Sequence, residues 1–192
     1  VCIDSDSRFI RDFFVGDFLS PEGYPYTILH EGKPFLQFCL MNGIRETELY
    51  FEKMSQDMRD YFGRQGPSYN YNPFPVIWSK KVWLALEEQL KADGTNILDA
   101  IVAHPYESSW YGETLLKYNS IPLLPKEPIF KAYLYLEEYE HDKSMGMNET
   151  ILAQFYLGVV YQSNWYPHRL KILKRVAYKF KRMIKSFRAS SL

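Results

Sequence analysis

Apolar positions along the chain fall into short runs and into stripes of helical spacing, and the two kinds alternate. Val1-Cys2-Ile3 is a short apolar run, the pattern of a buried strand. Phe9, Phe13, Phe14 and Phe18 then form a compact aromatic segment closed by the turn Ser20-Pro21-Glu22-Gly23. Thr27-Ile28-Leu29-His30 reads as a strand, with Glu31-Gly32-Lys33-Pro34 as the turn that follows it. From Ile44 to Phe62, the residues Tyr50, Met54, Met58 and Phe62 recur at four-residue spacing. That period predicts an amphipathic helix with a charged outer face, stopped by Gly63 and Gly66-Pro67.

Further along, Tyr69-Asn70-Tyr71-Asn72-Pro73-Phe74-Pro75 is a loop by composition, followed by the short apolar Val76-Ile77-Trp78. Ser79 is placed to cap a helix through Lys91 that ends at Asp93-Gly94, and Thr95 to cap a second helical stretch over Asn96–Ala103. A helix to Tyr118 is expected next, then a strand over Ile121–Leu124 between Ser120 and Pro125. The pattern predicts a helix over 129–140 and a helix-to-strand segment across 149–162. The clearest helix of all runs from Pro167 to Phe187. Short strands alternating with helices argue an α/β fold.

With 192 residues, 46% hydrophobic and 17% aromatic content, the chain can bury a substantial core as one domain. Cys2 and Cys39 make no disulfide framework and no metal-type C-x-x-C spacing, which favours a reducing, cytosolic setting. The longest apolar stretches are too short and too interrupted to span a bilayer. The net charge of zero hides an asymmetry. From Arg169 onward there are nine Lys/Arg and no acidic residue, which leaves 14 basic residues against all 23 acidic ones in residues 1–168. The chain therefore divides into an acidic body, 1–168, and a basic amphipathic tail helix, 169–192. In that tail Ile172, Leu173, Val176, Phe180, Met183, Ile184 and Phe187 fall at helical spacing among the basic residues. Such a helix suits an anionic membrane surface, or it packs on its own domain with its charge in solvent. Nothing near it resembles a nucleic-acid recognition module, so no nucleic acid is expected as partner.

The candidate chemistry begins at Asp4-Ser5-Asp6, directly behind the first apolar run. Side chains alternate along extended backbone, so the two carboxylates would point the same way and suit a hard divalent cation. A solvated turn is the competing reading. Two other D-x-D chemistries do not fit. A haloacid-dehalogenase-type phosphatase wants Thr or Val where Arg8 stands, and an EF-hand loop counted from Asp4 puts Phe9 and Val15 where Gly and Glu are needed.

The fragment Ile3-Asp4-Ser5-Asp6-Ser7-Arg8-Phe9 resembles the strand-end D-S-D of GT-A-type glycosyltransferases. More narrowly, it is similar to a largely bacterial group of nucleotide-diphospho-sugar transferase-like proteins. Two further segments carry the likeness in the same order: Asn72-Pro73-Phe74-Pro75-Val76-Ile77-Trp78-Ser79-Lys80, and Glu107-Ser108-Ser109-Trp110-Tyr111-Gly112 in the place of an E-x-x-x-Y-G signature. Together they cover residues 1 to about 118.

The resemblance implies a GT-A-like, partial Rossmann-type sheet flanked by helices, of which this chain is the C-terminal portion, with a nucleotide-binding βαβ unit upstream. It implies that Asp4 and Asp6 hold Mn²⁺ or Mg²⁺ against the diphosphate of a nucleotide-sugar, with Arg8 grouped among the cofactor-binding residues. Glu107 is the first candidate for the base that contacts the acceptor hydroxyl, and Glu113 the second. Glu107 equally suits the first turn of a helix, where the dipole favours a carboxylate. Trp110 and Tyr111 either stack on a sugar ring or pack in the core. A third metal ligand is expected from the C-terminal part, His168 before His104. The implied activity is transfer of a sugar from a nucleotide-sugar donor to a cell-envelope glycan or lipid-linked acceptor, at the inner face of a membrane in the cytoplasm. A non-catalytic glycan-binding or membrane-associated scaffold that keeps the fold is the alternative from another class.

Overall fold

A computed structural model describes residues 5–71 and 75–162. The expected strand over Val1–Ile3, Asp4, Asn72–Phe74, His168 and the tail helix all lie outside the described residues. The strands are β1 (Ser7–Phe9), β2 (Thr27–Ile28), β3 (Pro125–Lys126), β4 (Phe130–Tyr133) and β5 (Gly158–Tyr161). The helices are α1 (Lys33–Met41), α2 (Arg45–Phe62), α3 (Lys80–Ala92), α4 (Ile97–Ala103), α5 (Glu107–Tyr118), α6 (Leu136–Ser144) and α7 (Glu149–Leu152). The class is α/β, as the alternation of patterns predicts.

β1, β5 and β4 form a mixed sheet in that order, with β1 antiparallel and β4 parallel to the central β5. α6 and α7 make the crossover between the two parallel strands, a connection that a hairpin turn cannot supply. Strand alternation sorts the side chains onto two faces. Phe130 and Val160 join Phe18 and Leu157 on one face, with Phe9 packed against them. Tyr133 and Val159 join Leu152 on the other, beneath Tyr139 and Tyr161. β2 and β3 pair separately, in parallel, and Thr27 N–H extends their ladder by donating to the Leu124 carbonyl at 2.8 Å.

The helices pack around α5, in which every residue from Ser108 to Leu115 is buried. A helix covered on all sides belongs in the interior of a layer. Met58 and Phe62 of α2, Leu86 and Leu90 of α3 and Ala100 of α4 close on Trp110. Val82 and Ile121 close on Tyr111 and Leu115 from another side. The caps follow sequence chemistry. Ser79 Oγ accepts from Lys81 N–H at 3.3 Å, and Gly63 ends α2 in the left-handed region at φ 65°. Asn96, not Thr95, caps α4, because its shorter reach to the N–H groups of Leu98 (2.9 Å) and Asp99 (3.1 Å) satisfies two orphan donors.

Three further expectations are corrected. The expected helix over 129–140 is instead strand β4 followed by α6. Phe130 and Ala132 face one core while Lys131 and Tyr133 face the other, a period of two that the helical reading overlooked. The turn at Glu31–Pro34 opens into α1, with Pro34 in the first turn, where its missing N–H costs nothing. The strand expected over Ile121–Leu124 forms its ladder one step later, at Pro125–Lys126.

Gly158 shows how tightly the mixed sheet is assembled. A methyl group at its Cα would meet the Phe130 ring and the Arg8 carbonyl oxygen, one of them backbone on the neighbouring strand. Gly158→Ala is expected to destabilise the fold by about 1–3 kcal/mol through overpacking. A lower denaturant midpoint at unchanged slope is the expected signature, and an unshifted midpoint would show that the strands have room to part.

Candidate functional site

Register places the D-S-D segment at an informative edge. β1 runs antiparallel to β5, so the start of β1 lies beside the ends of β5 and β4, where Tyr133 is level with Tyr161. Asp6 precedes Ser7 at that edge, and its carbonyl accepts from Tyr161 N–H at 3.0 Å. Ser5 and Asp6 thus sit at the carboxyl-end edge of the parallel pair β5 and β4, beside β5, the kind of edge at which open α/β sheets bind ligands. They lead into β1, and the strand expected before them lies outside the described residues. Arg8 forms an ion pair with Glu149 and lies 5.5 Å over the Tyr161 ring, whose hydroxyl donates to Glu149 at 2.9 Å. Its charge is therefore already engaged. Among the described residues no group of three His, Cys, Asp or Glu side chains is placed to hold a metal ion. Of Asp4, Asp6 and His168, only Asp6 falls within them.

Glu113 lies elsewhere, on buried α5. Its side chain is 2% exposed and that of Arg64, just beyond α2, is 16% exposed. Arg64 grips it with two parallel bonds, Nε to Oε2 at 2.6 Å and Nη2 to Oε1 at 2.8 Å, and the Tyr71 hydroxyl donates to Oε1 at 2.8 Å. Burial, followed by the negative charge of Glu113, pushes the Tyr71 hydroxyl far above its usual range, so it remains a donor. Gly112 admits the Tyr71 ring, since a Cβ there would overlap it. Both carboxylate oxygens of Glu113 are thus committed to holding the helix. Glu107 is exposed in the first turn of α5, where the helix dipole favours it. His104 caps the end of α4, and its carbonyl accepts from the Trp110 indole at 2.9 Å. Trp110 and Tyr111 are both buried in the helical core, and the Tyr111 hydroxyl accepts from Ser79 N–H at 2.9 Å. Of their two readings, packing is the one observed.

A cleft of about 710 Å³ opens at the carboxyl ends of the other parallel pair, β2 and β3. Leu29 and His30 leave β2 into it, and Glu127 and Pro128 leave β3 into it. The rest of the wall comes from the start of α1, from Tyr69 and Asn70, from the flank of β4, and from Glu138, Phe155 and Tyr156. His30 is fixed twice. Its carbonyl accepts from Asn70 N–H at 2.8 Å, and its Nδ1 accepts from Gly32 N–H at 3.3 Å. Burial lowers its basicity, an effect partly offset by the negative charge of Glu127. Lys131 is held between Asp142 at 3.1 Å and Glu138 at 3.6 Å. Burial raises the Glu138 carboxyl against the pull of that lysine.

None of the expected site residues among the described ones (Asp6, Arg8, His104, Glu107 and Glu113) lines this cleft. Its composition was missed because His30, Glu127, Glu138 and Phe155 come from distant segments and form no motif. The one local signal was the strand Thr27–His30, whose end marks the mouth. Compared with protein-family models, with curated proteins and with solved structures, the chain matches none of them.

Two outcomes follow from this geometry. Arg64→Ala leaves the Glu113 carboxylate buried without its partner and is expected to cost roughly 3–5 kcal/mol in unfolding experiments; a loss below about 1 kcal/mol would mean that water reaches the carboxylate. His30 binds its proton less readily when folded than the 6.5 of an unfolded chain. Its stabilising contribution is thus complete above that pH and declines as pH falls through it. Wild type should lose more thermal stability than His30→Asn on going from about pH 7.5 to 5.5, and parallel losses would contradict the assignment.

Proposed function

We propose that the chain is part of a metal-dependent glycosyltransferase of GT-A type, which passes a sugar from a nucleotide-sugar to a cell-envelope glycan or lipid-linked acceptor. The single observation that carries this reading is the position of Ser5-Asp6 beside the carboxyl end of β5, where the Asp6 carbonyl accepts from Tyr161 N–H. The resemblance of two further segments, in order, supports it.

Asp4, Asp6 and His168 would hold the cation. Two carboxylates and an imidazole are a donor set that fits Mn²⁺ well and Mg²⁺ through the oxygens. When bound, the ion neutralises charge on the departing nucleoside diphosphate. The protein's own contribution is to aim the D-S-D backbone, which the bond from Tyr161 N–H to the Asp6 carbonyl does. Glu107 has the exposure that an acceptor-hydroxyl base needs, whereas Glu113 acts by fixing α5, its oxygens being occupied. That occupation also favours a second reading, a glycan-binding protein of this fold without turnover.

Among the described residues no helix is long and apolar enough to cross a membrane. The basic segment after Arg169 supports peripheral attachment to the cytoplasmic face, with each basic residue contributing on the order of 1 kcal/mol beside anionic lipid. Full-length protein assayed with Mn²⁺ against a panel of nucleotide-sugars should transfer or hydrolyse at least one. Asp4→Ala and Asp6→Ala should each lower the rate on the order of 100-fold. Equal rates in all three proteins would end the metal role. Flotation with phosphatidylserine vesicles should depend on residues 169–192, and flotation without them would move the membrane contact elsewhere.

A further inference from the structure

The cleft at the ends of β2 and β3 differs in chemistry from a diphosphate site. Three carboxylates line it, Glu31, Glu127 and Glu138, against two ammonium groups, Lys33 and Lys131. Both ammonium groups are already engaged, Lys33 by Glu31 at 2.9 Å and Lys131 by Asp142 and Glu138. Among the described lining residues, an anionic ligand would meet three carboxylates and two ammonium groups that are already paired. The polar groups that remain are suited to hydroxyls. With Nδ1 of His30 accepting from Gly32, the neutral ring carries its proton on Nε2 and is a donor, while exposed Glu127 is an acceptor acting on the same ring. Phe155 is 67% exposed at the wall of this cleft and offers an open aromatic face to a ligand there. Tyr156 beside it adds a second ring with a polar tip. A donor, an acceptor and aromatic faces lining one cleft match a pyranose, with its hydroxyl rim and its apolar C–H face.

We propose that this cleft binds an uncharged glycan, with His30 and Glu127 bonding ring hydroxyls and Phe155 stacking on the sugar face. Under the transferase reading the glycan is the acceptor, and that label alone rests on the proposed function. Binding itself does not need the D-S-D segment or a metal. The volume of about 710 Å³ accommodates a short oligosaccharide segment and is well above what one hydroxyl group or ion requires.

The test is a glycan array probed with full-length protein in EDTA, followed by titration with the best neutral oligosaccharide found, and with UDP and GDP. At least one neutral glycan should bind. Phe155→Ala and Glu127→Gln should each weaken it about tenfold or more, and Asp6→Ala should leave it unchanged. Both cleft positions are exposed, so thermal unfolding of these variants should match wild type. No neutral glycan bound, glycan binding indifferent to both substitutions, or UDP or GDP bound in EDTA and lost in Phe155→Ala would each overturn the proposal. Loss of the transferase reading shows separately, as equal turnover in Asp6→Ala with glycan binding intact.

Discussion

The bidentate pair between Arg64 and Glu113 sets the geometry on which the cleft at β2 and β3 depends. An ion pair this deeply buried adds little net stability, because desolvation offsets the attraction, yet it tolerates only one arrangement. Arg64 spends its remaining donor capacity on the Pro67 carbonyl at 2.9 Å and lies 5.1 Å over the Tyr69 ring. Tyr71 closes the network on the same carboxylate. The segment from Arg64 to Tyr71 is thereby fixed to α5. Asn70 within it holds the His30 carbonyl, and Tyr69 and Asn70 form part of the cleft wall. A charge pair in the helical core thus reaches the cleft through one hydrogen-bonded segment.

The two surfaces divide the chemistry by charge and by strand pair. Asp6 lies beside the ends of β4 and β5, while His30 and Glu127 lie at the ends of β2 and β3. Both obey the same topological rule, which follows from the direction of parallel strands rather than from any motif. Under the proposed function the first would hold a cation and, through it, a diphosphate. The second has its cations neutralised and its aromatic faces open, which suits an uncharged ring. A donor and an acceptor sugar make those two different demands.

How much of this was legible in the sequence depended on whether the signal was local. The period of Tyr50, Met54, Met58 and Phe62 fixed α2, and Gly63 and Ser79 marked the boundaries at which α2 ends and α3 begins. Phe130–Tyr133 was misread because four apolar or long residues in a row satisfy either period, and only the pairing with β5 decides between them. α1 was hidden behind Gly32 and Pro34, residues that begin helices as readily as they make turns. Glu113 gave no sign of its partner, since Arg64 and Tyr71 are 49 and 42 residues away. The cleft was illegible for the same reason. Many of its residues are brought together by the pairing of β2 with β3, whose partners lie far apart in the chain, Thr27 beside Pro125.

The proposed function requires a divalent ion that joins the D-S-D carboxylates to a nucleoside diphosphate. Calorimetric titration of full-length protein with UDP or GDP, with and without saturating Mn²⁺, measures that linkage directly. The prediction is binding that requires Mn²⁺ and disappears in Asp6→Ala. Nucleotide binding of equal strength in EDTA, or Mn²⁺-dependent binding that survives the loss of Asp6, would contradict it.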